Sequence, residues 1–181
     1  ELPGFLRNIV ITGMVYGCLF SYISASTFIY QQLFHLSAQA FSLFYAINGL
    51  GIVIGSGLPS RVNRLSERVQ VKVGMVLVLL DSMILLVGSW LHFPLIAVAV
   101  LLWFLVVFVG MLLTLTTAII MNQTPQNAGS ASALVGLSQN AFGGISSPLV
   151  GLFGTASYAP MAGLILIYSL GALGLSHQKQ V

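Results

Sequence analysis

The chain has 181 residues, 57% hydrophobic and 5% charged, with six Lys or Arg against three Asp or Glu for a net charge of +3. A soluble domain carries roughly 25% charged residues to meet water, so this composition excludes one and makes lipid the solvent expected around most of the chain. The single cysteine, Cys18, excludes an intrachain disulfide and, set in an apolar run, reads as a small packing residue.

Glu1-Leu2-Pro3-Gly4 opens the chain without a cleavable-signal pattern and reads like the tail of a linker, so the sequence is expected to start partway through a longer protein. Crossing a hydrocarbon core of ~30 Å takes roughly 20 helical residues, and six stretches are long enough. The first, 6–30, carries Gly13 and Gly17 and a face with Tyr16, Phe20 and Thr27, while Tyr22 lies elsewhere around it. Gln31-Gln32 interrupts it, and Ser37 is a suitable N-cap for the second, 38–60. That span holds Asn48, Gly51 and Gly55 and runs through Pro59 into a basic stretch with Arg61, Arg64, Arg68 and Lys72. The third, 69–90, carries Asp81. His92-Phe93-Pro94 separates it from the fourth, 95–121, which clusters Trp103, Phe104 and Phe108. A polar break ends at Asn127, a suitable N-cap for the fifth, 128–153, with Gln139, Asn140, Gly143 and Ser147. Gly154-Thr155 precedes the sixth, 158–175, where Pro160 falls in the first turn and is tolerated. The expectation is a single all-α membrane domain over 1–181.

Arg7, Arg61, Arg64, Arg68, Lys72 and Lys179 all fall on one side when the number of spans is even, and the loops opposite are uncharged. Positively charged loops stay in the cytoplasm, so both termini are expected there. Glycine and small-residue pairs at helical spacing (Gly13 and Gly17, Gly51 and Gly55, Gly143 and Ser147) mark close helix contacts. Spans two and five each carry an amide, then glycines, then a proline (Pro59, Pro148), an order that suits a three-plus-three repeat.

Polar groups at membrane depth are costly and therefore informative. Asp81 is the only carboxylate well inside a span, and Lys72 on the same helix lies about 13.5 Å away along the axis. Asp81 is a candidate proton carrier; an interhelical hydrogen-bond donor is the alternative. Asn48, Gln139 and Asn140 fit either substrate contact or interhelical bonding. Tyr16, Phe20, Tyr22 and Trp103 fit an aromatic-lined cavity for apolar or cationic ligands, or else a core or lipid-facing stripe.

The run over 20–26 (Phe-Ser-Tyr-Ile-Ser-Ala-Ser), Gln31-Gln32, His35-Leu36-Ser37 and the run over 41–51 (Phe-Ser-Leu-Phe-Tyr-Ala-Ile-Asn-Gly-Leu-Gly) together resemble the start of the C-terminal half in the Bcr/CflA drug-resistance group of the major facilitator superfamily. Ala128-Gly129-Ser130-Ala131-Ser132-Ala133-Leu134, continuing through Gln139 and Gly143 to Ser147-Pro148-Leu149-Val150-Gly151, is a second match. The resemblance implies a six-helix, 3+3 inverted-repeat bundle forming spans seven to twelve of a twelve-span, proton-coupled multidrug exporter in the bacterial inner membrane. Its partners would be membrane lipid, the N-terminal six-helix half (or a second copy if isolated), protons and a small amphipathic or cationic drug-like substrate. Thr27 stands where a proline is usual, and the loop over 57–64 lacks the aspartate of the superfamily's basic loop. By the same resemblance, most proton-coupling carboxylates lie in the other half, and the span bearing Asp81 corresponds to a peripheral helix.

A membrane enzyme is not expected. Intramembrane aspartyl catalysis needs two carboxylates, and His35, His92 and His177 sit at helix ends rather than at depth. The spacing supports neither metal nor cofactor, and no nucleic-acid partner is expected. A non-transporting membrane scaffold or assembly subunit is the alternative to the exporter.

Overall fold

The computed structural model describes residues 2–62, 65–152 and 157–177; Glu1, Arg64, Phe153, Gly154, Thr155 and Lys179, all used in the sequence reading, lie outside them. The described chain is six helices: α1 (Leu2–Thr27), α2 (Ala38–Arg61), α3 (Glu67–Trp90), α4 (Leu95–Gln123), α5 (Ala128–Leu152) and α6 (Ala159–His177). Thr27 keeps the N–H that a proline would remove, and α1 continues directly into a π-helical turn, Phe28–Leu33. Ser37 caps α2, its Oγ accepting from the Ala40 N–H at 3.2 Å. Asn127, expected as the N-cap of α5, is the last residue of a 3-10 turn, Pro125–Asn127, that leads into that helix.

His35, after the π turn that extends α1, and His92, after α3, lie in the left-handed region, with φ of 53° and 54°. Beyond His92 the Phe93 N–H bonds back to Gly88 O at 3.0 Å, and beyond His35 the Leu36 N–H bonds back to Tyr30 O at 2.9 Å. These are the same glycine-type helix stop, one residue wider at His35 because its last turn is π-helical.

The packing reads as two rows. α2 lies on α4, α4 on α1 and α1 on α5, so these four form a front row in that order; α3 and α6 pair behind, α3 against α4 and α6 against α1. Exchanging the first three helices for the last three reproduces the contacts: α1 on α5 answers α4 on α2, and α3 on α4 answers α6 on α1. Since α1 and α4 start from opposite ends of the bundle, this is an inverted repeat. The core runs through its middle on Val15, Tyr22, Met75, Leu102, Leu105, Leu112 and Ile165.

Small residues set how close the rows come. At the α2–α4 crossing, a Cβ on Gly55 would fall on the Val107 carbonyl and one on Gly110 would lie 2.5 Å from Ile52 O. Backbones approach this closely only where both helices lack side chains. Five helical segments among the described residues are long and apolar enough to cross a membrane: α1 with its π turn, α2, α3, α4 and α6. α5 is not among them. Its length suffices, and Ser130, Ser132, Ser138, Gln139, Asn140, Ser146 and Ser147 place polar side chains along it.

Candidate functional site

The front row carries all but one of the side chains singled out from sequence. On α1, Tyr16 and Phe20 lie one turn apart with ring centroids at 5.1 Å, both partly exposed. The Phe20 ring rests on Gly143 of α5, 3.0 Å from where a Cβ would be. One turn on, Ser24 Oγ donates to Ser147 Oγ at 2.8 Å. This parallel register places Gln139, one turn before Gly143 and partly exposed, at the level of Tyr16. Asn140 is exposed, its Nδ2 donating to Gly136 O at 2.8 Å. Aromatic faces attract cations and flat rings, and a neutral amide both donates and accepts; Tyr16, Phe20 and Gln139 bring the two together on one wall.

Tyr22 and Asn48 form a second group. Asn48 Nδ2 donates to Tyr22 Oη at 2.7 Å and lies 3.4 Å from Tyr30 Oη on the π turn. Tyr45 stacks on Tyr22 at 6.5 Å, and Phe44 stacks on Tyr30 at 5.1 Å. The buried amide thus ties α2 to α1 and its π turn inside an aromatic box, of which Tyr45 is the exposed wall. Tyr30 and Tyr45 were missed from sequence; Tyr22's place off the Tyr16–Phe20 face was the available sign that it served a different neighbour. Trp103 of α4 meets α2 one turn beyond Asn48, its Nε1 3.1 Å from where a Gly51 Cβ would be. Phe104 contacts its edge at 5.2 Å and is itself exposed.

Asp81 is set apart. It lies on α3, in the back row, only 5% exposed on the buried stripe of Val78, Ser82 and Leu85. Among the described residues its Oδ2 has no hydrogen-bond partner. No group of three or more His, Cys, Asp or Glu among the described residues is placed to hold a metal ion.

At the uncharged end, α1, α5 and α6 enclose a cavity of about 80 Å³ beside Ser24, Phe28, Ser147 and Met161. Drug-sized sites run to roughly 300–1,000 Å³, so that cavity is too small for one, and the Tyr16–Phe20–Gln139 wall stands open. The Major Facilitator Superfamily model matches residues 2–148. YdgK, an uncharacterized MFS-type transporter of Bacillus subtilis (strain 168), is 31% identical over 180 residues, which are 97% of this chain and 44% of that protein. The chain therefore spans less than half the length of this relative. No solved structure matches it. From the inverted-repeat helical bundle and the family match over most of its length, the chain belongs to the major facilitator superfamily, a family of membrane transporters rather than enzymes.

Proposed function

We propose that the chain is the C-terminal half of a proton-coupled multidrug efflux transporter of the bacterial inner membrane, with both termini cytoplasmic. It works by alternating access, this bundle rocking against an N-terminal six-helix half around a site near the membrane midplane. The observation that carries the reading is the open wall of Tyr16, Phe20 and Gln139 on the front row. Such a wall becomes an enclosed site once a second bundle faces it. Its aromatic faces and amide suit small amphipathic or cationic molecules, and Asp81 is this half's candidate for moving the proton.

The test is efflux by the full-length protein of several dyes differing in charge and ring size. Tyr16→Ala and Gln139→Ala are expected to change efflux unequally between dyes, by roughly 3–10-fold for the most affected, the scale of a lost aromatic or hydrogen-bond contact. Equal losses that track protein level would assign these residues to packing. Dye accumulation unaffected by the wild-type protein itself would favour a scaffold.

A further inference from the structure

Tyr22 and Asn48, both placed among the substrate contacts by sequence, are 2% and 3% exposed, too enclosed to touch a molecule in the open site. Their arrangement serves a third side chain. Tyr22 and Tyr30 are eight residues apart, about 2.2 α-helical turns, which would set them about 80° apart around α1. The π turn, Phe28–Leu33, winds less per residue and brings Tyr30 back toward Tyr22. One amide then reaches both phenol oxygens, Asn48 Nδ2 lying 2.7 Å from Tyr22 Oη and 3.4 Å from Tyr30 Oη. Against the ring fixed in this way Tyr45 lies nearly parallel, at 14° and 6.5 Å, with Phe41 tilted on it at 5.6 Å. Tyr45 is 41% exposed, and its Oη has no hydrogen bond among the described residues. Its ring is held, and its hydroxyl is unspent.

The surface around Tyr45 shows which way it looks. Ser42, Tyr45, Gly49, Val53, Ser56 and Ser60 follow one another at three- and four-residue spacing and form one exposed stripe of α2, with Val53 its one aliphatic. The neighbouring exposed stripe, Leu43, Ile47, Leu50 and Ile54, is wholly aliphatic and suits lipid. The first stripe lies about a quarter-turn from the α4 contact at Gly51 and Gly55. Right-handed winding, with α2 running opposite to α1, puts it on the side of the front row that carries Tyr16 and Phe20. Apart from Asp81 in the back row, every described Asp, Glu, Lys and Arg stands at the far end of the bundle, so no charge acts beside Tyr45. A ring face and a free phenol O–H select a partner by its own ring and by an atom that accepts. We propose that Tyr45 is a specificity-determining contact for flat ring molecules that carry a hydrogen-bond acceptor, and that Asn48, acting through Tyr22, is the residue that positions its ring. This assignment rests on the transport reading above and narrows its substrate class.

The experiment measures, by fluorescence anisotropy, the affinity of the detergent-purified full-length protein for two flat cationic dyes. One is a rhodamine ester, whose carbonyl accepts a hydrogen bond; the other is ethidium, whose amino groups donate. Tyr45→Phe keeps the ring and loses the hydroxyl, and is expected to weaken the rhodamine about fivefold and ethidium by less than about twofold. Tyr45→Ala weakens both, by about fivefold or more. Asn48→Leu weakens both as well, and combining it with Tyr45→Ala weakens them no further than Tyr45→Ala alone, because the amide acts through the ring. Equal losses of the two dyes in Tyr45→Phe, or unchanged affinities in Tyr45→Ala, overturn the proposal, and additive losses in the double variant overturn the role of Asn48. Tyr45 is exposed, so its variants decide even where Asn48→Leu does not fold. Binding needs no proton gradient: dyes bound in this pattern but not pumped refute the transport reading while upholding Tyr45. Dyes pumped by a protein indifferent to Tyr45 overturn this proposal alone, and a wild type that binds neither dye overturns both.

Discussion

Asp81 stands one row behind the aromatic and amide side chains, buried on the face that α3 turns toward α4 and α6. An ionisable group at membrane depth is a functional candidate by default, and its orphaned Oδ2 strengthens the case. Asp81→Asn keeps the shape and hydrogen-bonding capacity but removes ionisation. In the full-length protein it is expected to abolish pH-driven efflux while dye binding and protein level hold; unchanged pH-driven flux would assign Asp81 to packing. Asp81, Asn48, Gln139 and Asn140 were legible in the sequence because a polar letter in an apolar run has few innocent explanations. The partners of Asn48 were not. Asn48 is 26 residues from Tyr22 and 18 from Tyr30, and only the way α2 crosses the π turn brings the three together. Gln70 was overlooked because a polar residue beside a basic loop looks like more of the loop, whereas it is buried and its Nε2 donates to Val62 O and Leu65 O.

The crossing of α2 on α4 is set by Gly55 and Gly110, each of which meets partner backbone where a Cβ would be. Backbone cannot move aside as a side-chain tip can. Gly55→Ala and Gly110→Ala are therefore expected to cost at least the ~1–3 kcal/mol of ordinary overpacking, read as a lowered unfolding temperature in detergent. Gly49, on the same helix as Gly55, has open space around it. Gly49→Ala should leave stability unchanged or raise it by up to about 1 kcal/mol through helix propensity, and equal losses at Gly49 and Gly55 would refute the assignment. The helices themselves were readable from apolar run length and turn residues, and the small-residue pairs pointed to contacts. The π turn was not readable: no composition marks it, and it arises where α1 must both continue past Thr27 and present Tyr30 to Asn48. α5 was read as a span on length, and it forms a helix over nearly the same residues, Ala128–Leu152.

As a whole the bundle has one finished side and one open side. The back row packs α3 on α6, while α2 and α5 at the ends of the front row remain mostly exposed. The helices satisfy their own backbone groups, so the isolated 181-residue chain is expected to fold, to self-associate through the open side, and to transport nothing alone. Chemical cross-linking in vesicles should trap a dimer, and gradient-driven uptake of a cationic dye should match empty vesicles. Robust uptake would mean that the chain is a transporter in its own right. The inverted repeat was faintly visible in the amide–glycine–proline order of spans two and five, but residue spacing alone could not show which helices answer one another. That symmetry has a consequence for biogenesis. Turned upside down, the two triplets exchange places in the pattern of helix contacts, so that pattern by itself favours neither way up in a bilayer. The choice falls to the few cations gathered at the α2–α3 end. A handful of side chains thus decides what the cell's insertion machinery makes of all six.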